Sequence, residues 1–328
     1  MDTPAGEPIT RRGPFWLRAA LLAALGVTIV AFLGTCLLGI AHSPQPHEVP
    51  VGFVGPAAQE QQLAHKGGDA LEVRPYEARA AALRHIEKLD VYGALVVTPQ
   101  GNEFLKSTAA SPQVAATLTT LFAQSGARVT DIKPLPSDDS AGGSIAVLVQ
   151  LAVLAGTIGA VGLGQLVPRY RANVAAGELP LPFTVVYSLC VGMLASGFGV
   201  GAGTGFWAKS LALGVITLAV CASVSALVSV IGIAGSAVGG VLFFLLGVPA
   251  SGAATAVPML PGGWAALGQA LPPGAGATLL RKVFCFHDAS ISHQLLVSAL
   301  YAGIGLLTLG YVNAFAGAHR RRSLTGLP

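Results

Sequence analysis

The segment Cys285-x-His287-Asp288-x4-His293 brings thiol, imidazole and carboxylate groups together within a short stretch. These are the side chains that hold transition metals. Its spacing matches neither the paired cysteines nor the paired histidines of zinc sites. A polar loop ahead of an apolar segment is the simpler reading, and no metal or other cofactor is expected. A second stretch, Gly203-Thr204-Gly205-Phe206-Trp207-Ala208-Lys209-Ser210, falls one residue short of a phosphate-binding P-loop, with Ala208 where the second glycine belongs. That cradle needs a backbone nest between a strand and a helix. Here both flanks are apolar, so a short loop with Lys209 reaching toward a membrane interface is expected. The sequence contains no G-x-S-x-G elbow and no H-E-x-x-H pair, so an enzymatic activity has no specific residues to rest on. Cys36, Cys190 and Cys221 lie in apolar segments and Cys285 stands alone in a loop, so no disulfide or redox pair is expected.

The elements that would carry these residues follow from the distribution of charge. Hydrophobic residues make up 53% of the chain and charged residues only 10%, where a soluble domain has about 25%. Residues 140–168, 179–208, 210–280 and 289–319 contain no Asp, Glu, Lys or Arg. A membrane-spanning helix needs roughly 20 apolar residues, and each run exceeds that. The net charge of +4 does not indicate nucleic acid. Arg11, Arg12, Arg18, Arg169, Arg171 and Arg320 to Arg322 flank apolar segments, as the positive-inside rule places them.

Read along the chain, residues 1–18 form a cytoplasmic tail and 19–41 a first span. Arg11-Arg12 resembles an export signal, but the uncharged stretch behind it is longer than a signal core and has no convincing cleavage site. Residues 42–143 change character, with eight basic and eleven acidic residues, more than half of the chain's charges. Short apolar runs at 49–54, 70–73, 94–97 and 128–132 alternate with helical patterns at 77–89 and 111–124. In the second helix Ser111 suits the N-cap, Pro112 the first turn and Gly126 the stop. This alternation predicts a small α/β domain outside the cytoplasm.

Residues 144–317 read as a five-helix membrane domain, with spans near 145–167, 181–203, 207–233, 236–248 and 294–315. Between the last two, 249–281 is uncharged up to Arg281 but crowded with Pro and Gly. Apolar sequence that cannot stay helical cannot face lipid, so a re-entrant segment packed against the helices is expected. The basic tail 318–328 closes the chain. The fold class is thus an all-α polytopic membrane protein of six transmembrane helices with an inserted α/β extracytoplasmic domain. It would sit in the plasma membrane among its lipids, with both termini cytoplasmic. No Asp or Glu lies inside any span, whereas ion-coupled transporters usually carry ionisable groups near the midplane. Gln150, Gln165, Tyr187 and Asn313 are the polar groups within spans and read as interhelical glue. Gly235-x3-Gly239 reads as a close-packing stripe.

The sequence Gly247-Val-Pro249-Ala-Ser251-Gly252, followed by Pro258-Met-Leu260-Pro261-x2-Trp264, Leu271-Pro272-Pro273-Gly274-Ala-Gly276 and Leu280-Arg281, resembles the loop of type-2 ABC exporter permeases. It is most similar to the phage-infection-protein-like (YhgE/Pip-like) branch, which the large block after the first span and the Asp90 to Val97 strand also fit. The resemblance implies a six-span permease half that pairs with a second copy or a paralogue and with a separate ABC ATPase subunit. It also implies ATPase coupling through Arg169, Tyr170, Arg171 and Glu178. The loop carrying Pro249, Ser251, Gly252, Pro258, Pro261, Trp264, Pro272, Pro273, Gly274 and Arg281 would line or cap a path for a hydrophobic or amphipathic substrate. Cys285-Phe286 departs from the aromatic pair usual there. The rival expectation is a non-transporting membrane protein whose outer domain binds cell-envelope components or a partner protein.

Overall fold

The computed structural model describes residues 46–166 apart from 125 and 140, residues 180–197 and 204–325, and scattered positions between 17 and 35. Arg169, Tyr170, Arg171 and Glu178, expected to couple to an ATPase, lie outside the described residues, as does most of the expected first span.

The first unit is a five-stranded sheet of order β2-β1-β3-β4-β5. Its elements are β1 (Val49–Val54), α1 (Ala57–Gly67), β2 (Leu71–Pro75), α2 (Arg79–Glu87), β3 (Gly93–Thr98), β4 (Gly101–Lys106), α3 (Pro112–Ala123) and β5 (Arg128–Asp131). β1 pairs in parallel with β2 and β3, while β4 runs antiparallel to β3 and parallel to β5. Alternate residues of a strand point to opposite faces, and the two cores separate accordingly. Val49, Val51, Phe53, Leu95 and Phe104 meet Leu118 and Phe122 of α3 on one face. Ala94, Val96 and Leu105 meet Ala82 and Ile86 of α2 on the other. The helix start expected at Ser111 is present, its hydroxyl accepting the Val114 amide at 3.3 Å, with Pro112 in the first turn. β4 and α1 add a strand and a helix to the elements read from the sequence.

The second unit is helical: α4 (Ser144–Leu166), α5 (Pro180–Ser196), α6 (Phe206–Ile231), α7 (Ala234–Gly239) with a π-helical continuation (Gly240–Gly247), α8 (Trp264–Ala270), α9 (Pro272–Cys285) and α10 (Ser292–Thr325). Among the described residues, three stretches, Ser144–Gly162, Phe206–Ile231 and Ser292–Val312, are long and apolar enough to cross a membrane. Thr184–Ser196 and Ala234–Gly247 are apolar but shorter.

α6 is the centre of the bundle, packed by α4, α5, α7, α9 and α10. Small residues make this possible. Gly156 of α4, Gly192 of α5, Gly305 of α10 and both Gly235 and Gly239 of α7 leave no room for a Cβ against α6. The Gly235-x3-Gly239 stripe therefore packs as its spacing predicts. Tyr187 also acts as glue, donating to the Ala155 carbonyl at 2.8 Å. Gln150 instead is exposed, and the side chains of Gln165 and Asn313 lie outside the described residues. Lys209 is buried at 8% exposure rather than reaching outward from the first turn of α6.

Candidate functional site at the hairpin and the domain junction

Past the π-helical segment the chain folds into a compact hairpin. Pro249 opens a single 3-10 turn, Pro249–Ser251, and Gly252 then adopts φ +73°, a left-handed conformation that suits glycine. A second turn, Val257–Met259, leads to Gly263 at φ +83° and into α8. Pro272 and Pro273 occupy the first turn of α9, where a missing amide hydrogen costs nothing. Ser251, Gly252, Pro272, Pro273, Gly274 and Arg281 are buried in this hairpin, whereas Pro249, Pro258, Pro261 and Trp264 are only partly covered. The expected re-entrant segment is thus ordered by its own contacts, and α9 carries it past Arg281 to Cys285.

Its polar groups satisfy one another in a chain. Thr278 donates to Gln269 Oε1 at 2.7 Å, and Gln269 Nε2 donates to the Ser251 carbonyl at 3.1 Å. The Ser251 hydroxyl accepts the Ala253 amide at 3.1 Å. Arg281, only 7% exposed, donates to the carbonyls of Gly252 at 3.2 Å and Ala253 at 3.4 Å. A guanidinium in such a place must satisfy its donors locally, because burying an unpaired charge is costly. The tight turn at Gly252 turns two carbonyls toward it. Close backbone approach of Gly268 to Ala250, and of Gly274 to Gly268, closes the hairpin.

The hairpin is also joined to the sheet domain. The His47 amide donates to the Pro258 carbonyl at 2.8 Å. Ala256 and Met259 enter the domain's apolar core beside Val49 and Phe104. Below α9, Phe286 and Ala289 pack with Ala109, Ala110, Leu89 and Tyr92. Burial pushes the Tyr92 phenol above its ordinary range, and Arg281 nearby opposes that rise. Leu89, just past the end of α2, holds φ +59°, a conformation disfavoured for a large side chain, and it packs against the junction cluster.

Sequence reasoning located Ser251, Gly252 and Arg281 in one loop and noted the strand beginning near Asp90. It did not connect Tyr92 with Arg281, nor single out Gln269, Thr278 and Met259. The polarity of Gln269 and Thr278 in an otherwise apolar run was the available signal. Cys285, His287, Asp288 and His293 do not converge. Among the described residues, no three His, Cys, Asp or Glu side chains form a cluster able to hold a metal.

A second feature lies in the bundle. A cavity of about 560 Å³ is walled by Leu227, Val230 and Ile231 of α6, by Leu242 and Phe243 of the π-helical segment, and by Ile304 of α10. Phe243 meets Tyr301 edge to face at 5.9 Å between ring centres. Ser223, beside them, is occupied by hydrogen bonds to the carbonyls of Ala219 and Tyr301. The lining is almost wholly apolar and could take an apolar molecule without chemistry. Because α10 starts at the domain junction and rises about 1.5 Å per residue, this groove lies in the part of the bundle away from the sheet domain. No known protein family, curated protein or solved structure matches this chain.

Proposed function

We infer that this chain is the permease half of an ATP-driven exporter. In this reading six spans carry both termini in the cytoplasm, the sheet domain lies outside the plasma membrane, and a hydrophobic or amphipathic substrate moves outward. The observation that carries it is the apolar groove between α6, the π-helical segment and α10. With the sheet domain outside, that groove lies in the cytoplasmic half of the bundle, where an outward-moving amphiphile would enter. π-helical turns often mark functional positions, and this one joins the groove directly to the hairpin at Pro249. No Asp or Glu lies within the three apolar helices long enough to span, so the energy would come from a separate ATPase subunit rather than from an ion gradient. A second permease copy or a paralogue would complete the path.

Purification from membranes in mild detergent should recover an ATPase with the chain. Arg171→Glu, in the expected coupling loop, should abolish export at unchanged membrane abundance. Solute accumulation by vesicles containing this polypeptide alone, driven by a pH or sodium difference, would overturn the reading. A non-transporting role in which the sheet domain binds an envelope component is the second reading, favoured by a groove in that domain described next.

A further inference from the structure

The sheet face between α1 and α3 carries a groove of about 550 Å³, within the ~300–1,000 Å³ range of small-ligand sites. Its floor is Phe53 of β1 with Leu95 and Val97 of β3. α1 lines it from Gln59 to Gly67, so the groove runs beneath the whole helix. This helix is unlike α2 and α3, because none of its residues is buried and Leu63 is its single large apolar side chain. An 11-residue helix of that composition is marginal by itself. It rests on the domain core through Leu63 alone, and its remaining side chains form one wall of the groove.

The rim is polar and its chemistry is one-sided. Gln59, Gln62, Asn102 and Gln124 present amides that can both donate and accept, and Lys66 supplies a cation. Among the described residues, no carboxylate lines it. An apolar floor under an amide rim with one positive charge suits a molecule with an apolar body and an anionic head. A cationic head would meet Lys66 with nothing to balance it.

We propose that this groove binds a small amphiphile with an acidic head, whose apolar body lies on Phe53, Leu95 and Val97, whose anion meets Lys66, and whose binding fastens α1 to the sheet. The proposal concerns the sheet domain alone, so failure to recover an ATPase leaves it standing. The test is hydrogen exchange on the full-length protein in phospholipid nanodiscs, titrated with N-octanoylglycine and, separately, with octyltrimethylammonium. N-octanoylglycine should slow exchange across residues 57–67 saturably, and the cationic probe should not. Gln62→Trp, which fills the groove from an exposed position, and Lys66→Glu should each raise the half-saturating concentration at least about tenfold, equivalent to about 1.4 kcal/mol. Unchanged exchange in the sheet and α3 would show that both variants remain folded. The proposal is overturned by absence of protection at saturating probe, by equal protection from both head groups, or by undiminished binding in both variants.

Discussion

In the sheet domain the packing that fills the core is between large side chains: Phe104 lies tilted against Phe122 with 4.6 Å between ring centres, and Ile86 sits in one cluster with Val96 and Leu105. In the bundle it is between backbones, where Gly156, Gly192 and Gly305 let three helices approach α6. Water explains the first arrangement, since removing apolar surface from it drives large side chains together. Apolar surroundings remove that drive, and close approach supplies dispersion contacts instead. The two regions should therefore fail in opposite ways, the domain when a side chain is taken away and the bundle when one is added.

The largest expected effect is in the domain. Phe104→Ala should cost about 3–5 kcal/mol of domain stability, read as faster hydrogen exchange throughout the sheet of the full-length protein. Little change there would mean that the domain core is not held by its large side chains. Next comes Gly192→Leu, whose side chain would enter the backbone of α6 near Ser210. Overpacking of this kind costs about 1–3 kcal/mol, and folded protein recovered from membranes should fall sharply. Gly303→Ala, on α10 with open space at that position, should leave recovery unchanged. Equal losses at both glycines would mean that close approach to α6 does not set the bundle, since both substitutions raise helix propensity.

The smallest effect tests polar contacts at the domain surface. Arg79 donates to both oxygens of Glu103, at 2.9 and 3.2 Å, and Thr130 donates to one of them. These hydrogen bonds hold the Glu103 carboxyl below its ordinary value of 4.5. The pair therefore stabilises the domain fully above that value and loses its contribution as pH falls through the lower folded value. Both side chains are partly exposed, so the contribution is about 0.2–1 kcal/mol. Arg79→Ala should remove that acid dependence from thermal unfolding of the domain. No counterpart is expected in the bundle.

The limits of legibility follow the same division. Apolar runs announced α4, α6 and α10, because length and lack of charge are local properties. The capped helix at Ser111 and the strands at Val49 and Gly93 were legible for the same reason. β4, Gly-Asn-Glu-Phe-Leu-Lys, was not, because only Phe104 and Leu105 are buried and the rest is polar. Its strand geometry comes from pairing with β3 and β5 on either side. α1 was missed because it buries no stripe and so leaves no 3.6-residue pattern to detect.

The sequence by itself determined that long charge-free segments must leave water and that a charged α/β block stands among them. It also determined that the Pro- and Gly-rich stretch from Pro249 to Arg281 could not remain a lipid-facing helix, since its freed backbone groups need partners. Which partners they have was decided by the tertiary structure. Arg281 is held by the carbonyls beside Gly252, Met259 enters the core of the sheet domain, and Tyr92 packs beside Phe286. Those contacts join residues far apart in the chain, and no local periodicity encodes a meeting that exists only once both units are folded.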